Sequence, residues 1–442
     1  MPPPSPAQAT PSAPDGAQPF GRLVDDTSPA SASSSRPTAA ATGRRDRVFG
    51  ALARYPTFRR LWLGALAASA GQWMQQVSLG WLALTLTNSA AFVGWVAFAA
   101  GLPFLVVSPV GGALIDRLDR RRLLLTCQTL AAIVAVVVAT DVIGGWVTPW
   151  HLLVAAFANG SLQALLTPTQ QSLVPSLVER VDLTNAIGLM SAGQNMTRIA
   201  GPSLAGIIIG WVGVGEAFLL QTVALAVAFA LVSRIVIPGR ATDATARRGV
   251  FDGIRLILGR PDLRALFLLA CVPTFFVFPY ISFLSIFARD ILRIGAGGLG
   301  LLMAASGAGA VVGSLLVALR RLTAGAGRMV VRLTVCYGGV VAAIALSRSV
   351  YLSLPLLFCA GLIGASFMST SNVLLQHRIA DEVRGRVMGA YLLTFGLMPL
   401  GALPMGFVAQ RYGAPTAIVL GAAISSAVAA WIGLKADGLR DF

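Results

Sequence analysis

Residues Leu61 to Arg122 read LWLGALAASAGQWMQQVSLGWLALTLTNSAAFVGWVAFAAGLPFLVVSPVGGALIDRLDRRR, and no Asp, Glu, Lys or Arg occurs before Asp116. A helix needs about 20 apolar residues to cross a bilayer, so the charge-free part holds two crossings and a short turn. Similar runs extend over 142–178, 265–288, 294–319, 349–376, 387–410 and 412–434. The whole chain is 56% hydrophobic and 12% charged, with mean hydropathy +0.75. Soluble domains carry about 25% charged residues. Within hydrocarbon the backbone must satisfy its own hydrogen bonds, and runs of this length do so as helices. The expected fold class is an all-α membrane protein.

The net charge of +16 is distributed in a way that argues against a nucleic-acid partner. Arginines gather in every second loop: Arg117, Arg120, Arg121 and Arg122; then six between Arg240 and Arg264; then Arg320, Arg321 and Arg328; then Arg378, Arg384 and Arg386. The alternate loops hold chiefly Arg289, Arg293, Arg348 and Arg411. Cytoplasmic loops of membrane proteins carry such an excess of basic residues. The pattern therefore places both termini in the cytoplasm of a bacterium, with the helices in its inner membrane. A monomer in the lipid bilayer acting on a small-molecule substrate is expected.

Twelve spans are predicted in two six-helix halves, at 59–86, 91–115, 122–143, 149–168, 183–210 and 215–236, then 263–288, 296–319, 328–347, 351–368, 383–410 and 414–434. Residues 1–55, rich in Pro, Ser, Ala and Thr, read as a disordered cytoplasmic tail. The first half takes 56–237, a cytoplasmic linker 238–262, the second half 263–436 and a short tail 437–442. Within the linker Val250, Phe251, Ile254, Ile257 and Leu258 share one helical face, which predicts a short helix on the inner leaflet or packed on the bundle. At an offset of 200, Gly201, Gly206, Gly213 and Ala217 correspond to Gly401, Gly406, Gly413 and Ala417, which suggests an internal duplication.

Between the second and third spans stands Gly112-Ala-Leu-Ile-Asp116-Arg117-Leu-Asp119-Arg120-Arg121-Arg122. It resembles the loop signature of the major facilitator superfamily, G-x-x-x-D-[RK]-x-G-[RK]-[RK], with Asp119 where the family usually has Gly. The resemblance implies a conformational latch made by Gly112, Asp116, Arg117, Arg120 and Arg121. Asp116 would face the positive end of span 11, with Arg384 and Arg386 as charged partners. In span 5, Gly188 and Arg198-Ile-Ala-Gly201-Pro202-Ser-Leu-Ala205-Gly206 resemble the antiporter motif of the superfamily's exporters. Small residues around a Pro kink let another helix approach, and span 8 offers Gly300, Gly307, Gly309 and Gly313. Trp73 to Trp81, Leu86 to Ser89, Phe278 to Ser282 and Arg384 to Met388 look like the enterobactin-exporter and transmembrane-secretion-effector branch, which is similar to macrolide-efflux proteins.

The resemblance implies a secondary active transporter that exports a small amphipathic, siderophore- or drug-like molecule by alternating access. A lysophospholipid or other lipid carrier of the same fold is the first alternative. A transport-inactive sensor or scaffold is the second. Polar residues in spans usually face a cavity or another helix, so the substrate-path candidates are Gln72, Gln76, Asn159, Gln163, Gln194, Asn195 and Arg198. Gln75 shares the face of Gln72 and Gln76. Each fits either a substrate contact or an interhelical bond.

No enzymatic, metal or cofactor site is expected. Gly295-x-Gly297-x-x-Gly300 spells a dinucleotide fingerprint but follows no strand. A phosphate-binding G-x-x-x-x-G-K-[ST] loop is impossible, because the only lysine is Lys435. The two histidines, His151 and His377, are far apart in sequence, and no two of Cys127, Cys271, Cys336 and Cys359 are spaced as a zinc pair.

Overall fold

The computed structural model describes residues 50–235, 250–319 and 325–435, except 378, 380–382, 384–386, 389 and 392, and at 108–117, 250–253 and 395 it describes the backbone alone. Most of the predicted N-terminal tail, residues 238–249 of the linker, and the latch partners Arg384 and Arg386 lie outside the described residues.

The first segment contains α1 (Pro56–Thr87), α2 (Ala90–Arg117), α3 (Arg120–Ile143), α4 (Pro149–Leu177), α5 (Leu183–Trp211) and α6 (Val214–Ser233). The second contains α7 (Val250–Gly259), α8 (Pro261–Phe276), α9 (Tyr280–Ile286), α10 (Gly295–Leu319), α11 (Ala326–Leu346), α12 (Val350–His377), α13 (Leu397–Tyr412) and α14 (Ala414–Lys435). Among the described residues, nine helical stretches are long and apolar enough to cross a membrane on length and composition. Two further long helices, α1 and α5, are not among them. They carry Gln72, Gln75 and Gln76, and Gln194, Asn195 and Arg198, so their polarity is concentrated on inward positions.

Two elements depart from the sequence expectation. The seventh span is broken: α8 ends at Phe276, and α9 begins after Pro279 and runs into a π-turn, Phe287–Ile291. Pro279 has no N–H to continue a helix, and Val277 and Phe278 both donate to the Pro273 carbonyl at 2.8 and 2.9 Å, closing the first piece. By contrast α4 continues past the predicted end at 168 to Leu177, through Pro168 and Pro175. Its hydroxyls bond inside the helix, Thr169 to the Leu165 carbonyl at 2.6 Å and Ser172 to that of Thr169 at 2.8 Å. The short α7 has Ile257 fully buried beside Leu263, Leu375 and Ile379, while Leu258 stays exposed.

The helices alternate in direction, so the turns at 87–90, 143–149, 211–214, 291–295, 346–350 and 412–414 share one end of the bundle. There the two segments are joined. A single apolar cluster takes in Leu84, Ile209, Phe283, Leu299 and Met405 from both. Among the described residues, the buried clusters at the opposite end are separate. Phe58, Leu124, Leu173 and Ile235 belong to one drawn wholly from the first segment, and Leu266, Val330, Phe367 and Ile432 to one drawn wholly from the second. The joined end also carries exposed Trp146, Trp150, Trp211, Tyr351 and Tyr412, the belt that marks a membrane–water boundary.

Two helix pairs make most of the join, α2 with α13 and α5 with α10. Both rest on facing glycines. A Cβ placed on Gly94 would lie 3.1 Å from the Gly406 Cα, and one on Gly206 would lie 2.8 Å from that of Gly300. Gly206 and Gly406, one offset of 200 apart, therefore serve equivalent contacts. Their partners in the repeat do likewise: Gly201 abuts Trp73 of α1, and Gly401 abuts the Phe275 carbonyl of α8.

Candidate functional site

Below the joined end lies a cavity of about 390 Å³ lined from both segments. Its apolar wall includes Val96, Phe104, Ile281, Leu299, Met303 and Met398. Gln72, Gln76, Asn159 and Gln163 contribute its amides, and Ser282 and Ser285 its hydroxyls. A second cavity of about 370 Å³, towards the divided end, is lined from α1, α4 and α5. It contains Trp73, Thr167, Gln170, Gln194, Asn195 and Arg198. Gln72 and Gln163 line both, so the two voids adjoin. Pockets of a few hundred Å³ suit small organic ligands.

All seven sequence-derived path residues therefore reach one or both cavities, and the structure separates their duties. Gln75 also lines the larger cavity but is only 5% exposed, and its side-chain carbonyl accepts from Gln221 of α6 at 3.2 Å. That is an interhelical bond. Gln76, one residue on, is exposed to the cavity. Asn159 donates to the Ala155 carbonyl at 3.0 Å and Asn195 to that of Ser191 at 3.0 Å. Each leaves its amide oxygen for another partner. Arg198 lies with its guanidinium carbon 5.6 Å from the centre of the Trp73 ring, within stacking range.

The latch residues are seen in part. Gly112, Asp116 and Arg117 lie in the last turns of α2, where only the backbone is described. Arg120 donates to the Ser172 carbonyl of α4 at 3.1 Å, and Arg121 donates to the Ser233 carbonyl of α6. Basic side chains at helix C-termini gain from both the free carbonyls and the helix dipole. Asp119, the departure from the family signature, accepts from the Arg122 backbone N–H at 2.7 Å and so caps α3. The acid stands where a helix start needs an acceptor.

The span 5 motif also resolves residue by residue. Gly188 is exposed, and a Cβ there would meet nothing within 4 Å. Pro202 and Gly206 receive Gly300, and Gly307 packs on the Arg198 carbonyl. Gly309 and Gly313 face the other way, onto the Phe358 and Leu362 carbonyls of α12. Half of the span 8 glycines thus serve a contact within the second segment.

The sequence reading missed a polar seal at the joined end. Arg289 donates to the Leu84 carbonyl at 2.8 Å and to the Asn88 side chain, while Asp290 holds it at 2.6 and 3.0 Å. Gln410 accepts from the Ser89 hydroxyl at 3.1 Å and from the Ala91 N–H at 3.3 Å. The available signal was the polar pair Asn88-Ser89 at the first turn of this end, opposite the few arginines of its loops.

The family model described as transmembrane secretion effector matches residues 49–438. A staphyloferrin A transporter of Staphylococcus aureus is 25% identical over 78% of this chain and 87% of its own length. The multidrug efflux pump Tap of Mycolicibacterium fortuitum is 27% identical over 79% of this chain and 88% of its own. A mutant of the nucleoside transporter NupG superposes with TM-score 0.74 at 14% identity, covering 86% of this chain and 100% of that one.

Proposed function

Because this chain belongs to the transmembrane secretion effector family of the major facilitator superfamily, we propose that it moves a small amphipathic molecule outward across the bacterial inner membrane by alternating access. It is a transporter and not an enzyme. The division of its apolar core among the described residues supports the mechanism: one cluster spans both segments at the joined end, and separate clusters occupy the other. With the arginine-rich loops in the cytoplasm, the joined end faces outward and the divided end inward. This conformation takes substrate from the cytoplasm into a cavity closed ahead of it.

Residues 56–237 and 263–436 act as the two rocking halves, with 238–262 as their connection. Rocking about the α2–α13 and α5–α10 contacts would part the glycine pairs and bring the arginine-rich ends together. Asp116 and its neighbours then hold the cytoplasmic side shut. The protein acts as a monomer without cofactor or nucleic acid, and the siderophore and drug transporters it resembles point to a cargo of that size. Efflux of candidate cargo should fall in a knockout strain and return on complementation. Equal retention in all three strains would refute export.

A further inference from the structure

We infer that the cargo is an amphipathic anion, with its acidic group against Arg198 and its apolar body in the cavity between the two segments. The inference rests on the exporter reading and deepens it by naming the charge class.

Among the described residues that line either cavity, Arg198 is the only formally charged one. No Asp, Glu or His stands beside it in the lining, and among the described residues it forms no ion pair. A cation within a span normally pairs with an acid, meets backbone carbonyls or serves the transported species. The guanidinium carbon lies over the Trp73 ring, 5.6 Å from its centre. Among the described residues its N–H groups have no hydrogen-bond partner, and such a fork matches a carboxylate or a similar planar acid. Amides and hydroxyls from Gln194, Asn195, Gln170 and Thr167 line the same void, so hydrogen-bonding groups around the acid would also find partners.

The larger cavity supplies the complementary half. Phe104, Met303, Met398 and Ile281 belong to its wall, and none of the described residues lining it is charged. An amphiphile bridging the shared Gln72 and Gln163 would place its apolar body there and its polar head at Arg198. A cationic amphiphile fits badly. It would meet Arg198 with no carboxylate to offset the repulsion, and a like charge in such a site discriminates strongly.

The position of Arg198 also couples the head group to the moving contact. Its carbonyl lies 3.0 Å from where a Gly307 Cβ would be, so the residue sits on the α5–α10 crossing itself. On the facing side of this crossing, Tyr280 of the second segment pairs with Ser306 of α10 at 3.4 Å. A bound acid would redistribute charge where the segments meet.

The test uses full-length protein in nanodiscs and in everted vesicles, with two probes sharing one aromatic body. These are 4-(1-pyrenyl)butyrate and 4-(1-pyrenyl)butyl-trimethylammonium. The anion should bind at least ~10-fold more tightly than the cation, as expected for a guanidinium fork facing a carboxylate. Arg198→Gln should abolish that preference while retaining the melting temperature, and Arg198→Lys should restore part of it. Equal or stronger binding of the cation, with efflux intact, overturns the charge class and leaves the exporter reading standing. An anion preference unchanged in a well-folded Arg198→Gln protein overturns the assignment to Arg198. If neither probe is bound or exported, both readings fall.

Discussion

Arg289 reaches from the π-turn after α9 to the Leu84 carbonyl in the last turns of α1, a hydrogen bond of 2.8 Å joining the two segments at their closed end. Leu84 also accepts from the Asn88 N–H at 2.9 Å, and Asn88, left-handed at φ 50°, ends the helix. Its side chain turns to the same guanidinium. The π-turn shifts the register of the chain, and Asp290 fixes the arginine from the adjacent position. A helix terminus, a capping side chain and a charge are thus gathered on one group.

If Arg289 is a catch on the outward-closed state, Arg289→Gln should favour opening at that end. A charge-assisted bond contributes about 1.5–3 kcal/mol when well formed; partial exposure lowers this to about 1 kcal/mol, a shift of roughly 5-fold between states. Val93, 2% exposed and lining the cavity near the seal, is a suitable reporter. In a background with the four cysteines replaced by serine, Val93→Cys should label faster with an external, impermeant maleimide when Arg289→Gln is added. An unchanged rate would show that the contact does not bear on the equilibrium.

The two motif glycines of α5 should behave oppositely. A Cβ at Gly206 would come within 2.7 Å of the Ala296 carbonyl and 2.8 Å of the Gly300 Cα, both backbone atoms. Gly206→Ala should therefore force α5 from α10, cost about 1–3 kcal/mol as overpacking does and lower both melting temperature and transport. Gly188→Ala meets open space, and replacing a helical glycine there should be neutral or stabilise by up to about 1 kcal/mol. Thermal melting in detergent distinguishes the two. Similar losses in both variants would contradict the contact geometry.

These contrasts show how far the sequence could be read. Charge-free runs located the helices because a bilayer penalises charge along a whole span, a signal that survives one-residue errors. Polar residues inside such runs marked the cavities for the same reason, and all seven chosen positions line them. Direction was harder to read. Gln75 and Gln76 are adjacent and both line the cavity, yet Gln75 commits its amide to Gln221, because the approach of α6 decides it. Gly307 and Gly309 likewise sit on opposite contacts of α10. The seal at Arg289 was hard to read because one partner is the Leu84 backbone carbonyl far along the chain, which leaves only the polar pair Asn88-Ser89 as a side-chain signature.

Orientation is tested by fusions. Alkaline phosphatase folds only outside the cytoplasm, so fusions after Ser89, Val147 and Ile294 should be active and those after Arg122 and Ala246 inactive. Ser89 and Val147 lie at the joined end with the exposed tryptophans Trp146 and Trp150. The reverse pattern would place the arginine-rich loops outside and turn the conformation described here into an outward-open one.

The last prediction separates two acids three residues apart in the loop signature. Asp119 accepts the Arg122 N–H at 2.7 Å, and removing such a cap costs about 0.5–2 kcal/mol of stability. Asp119→Ala should lower the melting temperature, while Asp119→Ser, which can still cap, should restore it. Asp116 belongs to the proposed cytoplasmic latch, which is used when the divided end closes. Asp116→Asn should leave stability near normal and reduce transport, since losing about 1–2 kcal/mol of dipole and charge interaction shifts the two states roughly 5- to 30-fold. Everted-vesicle efflux measured at matched protein abundance gives one readout, and melting gives the other. Wild-type transport in Asp116→Asn would reduce that acid to a solvated loop charge, with Asp119 retained as the cap of α3.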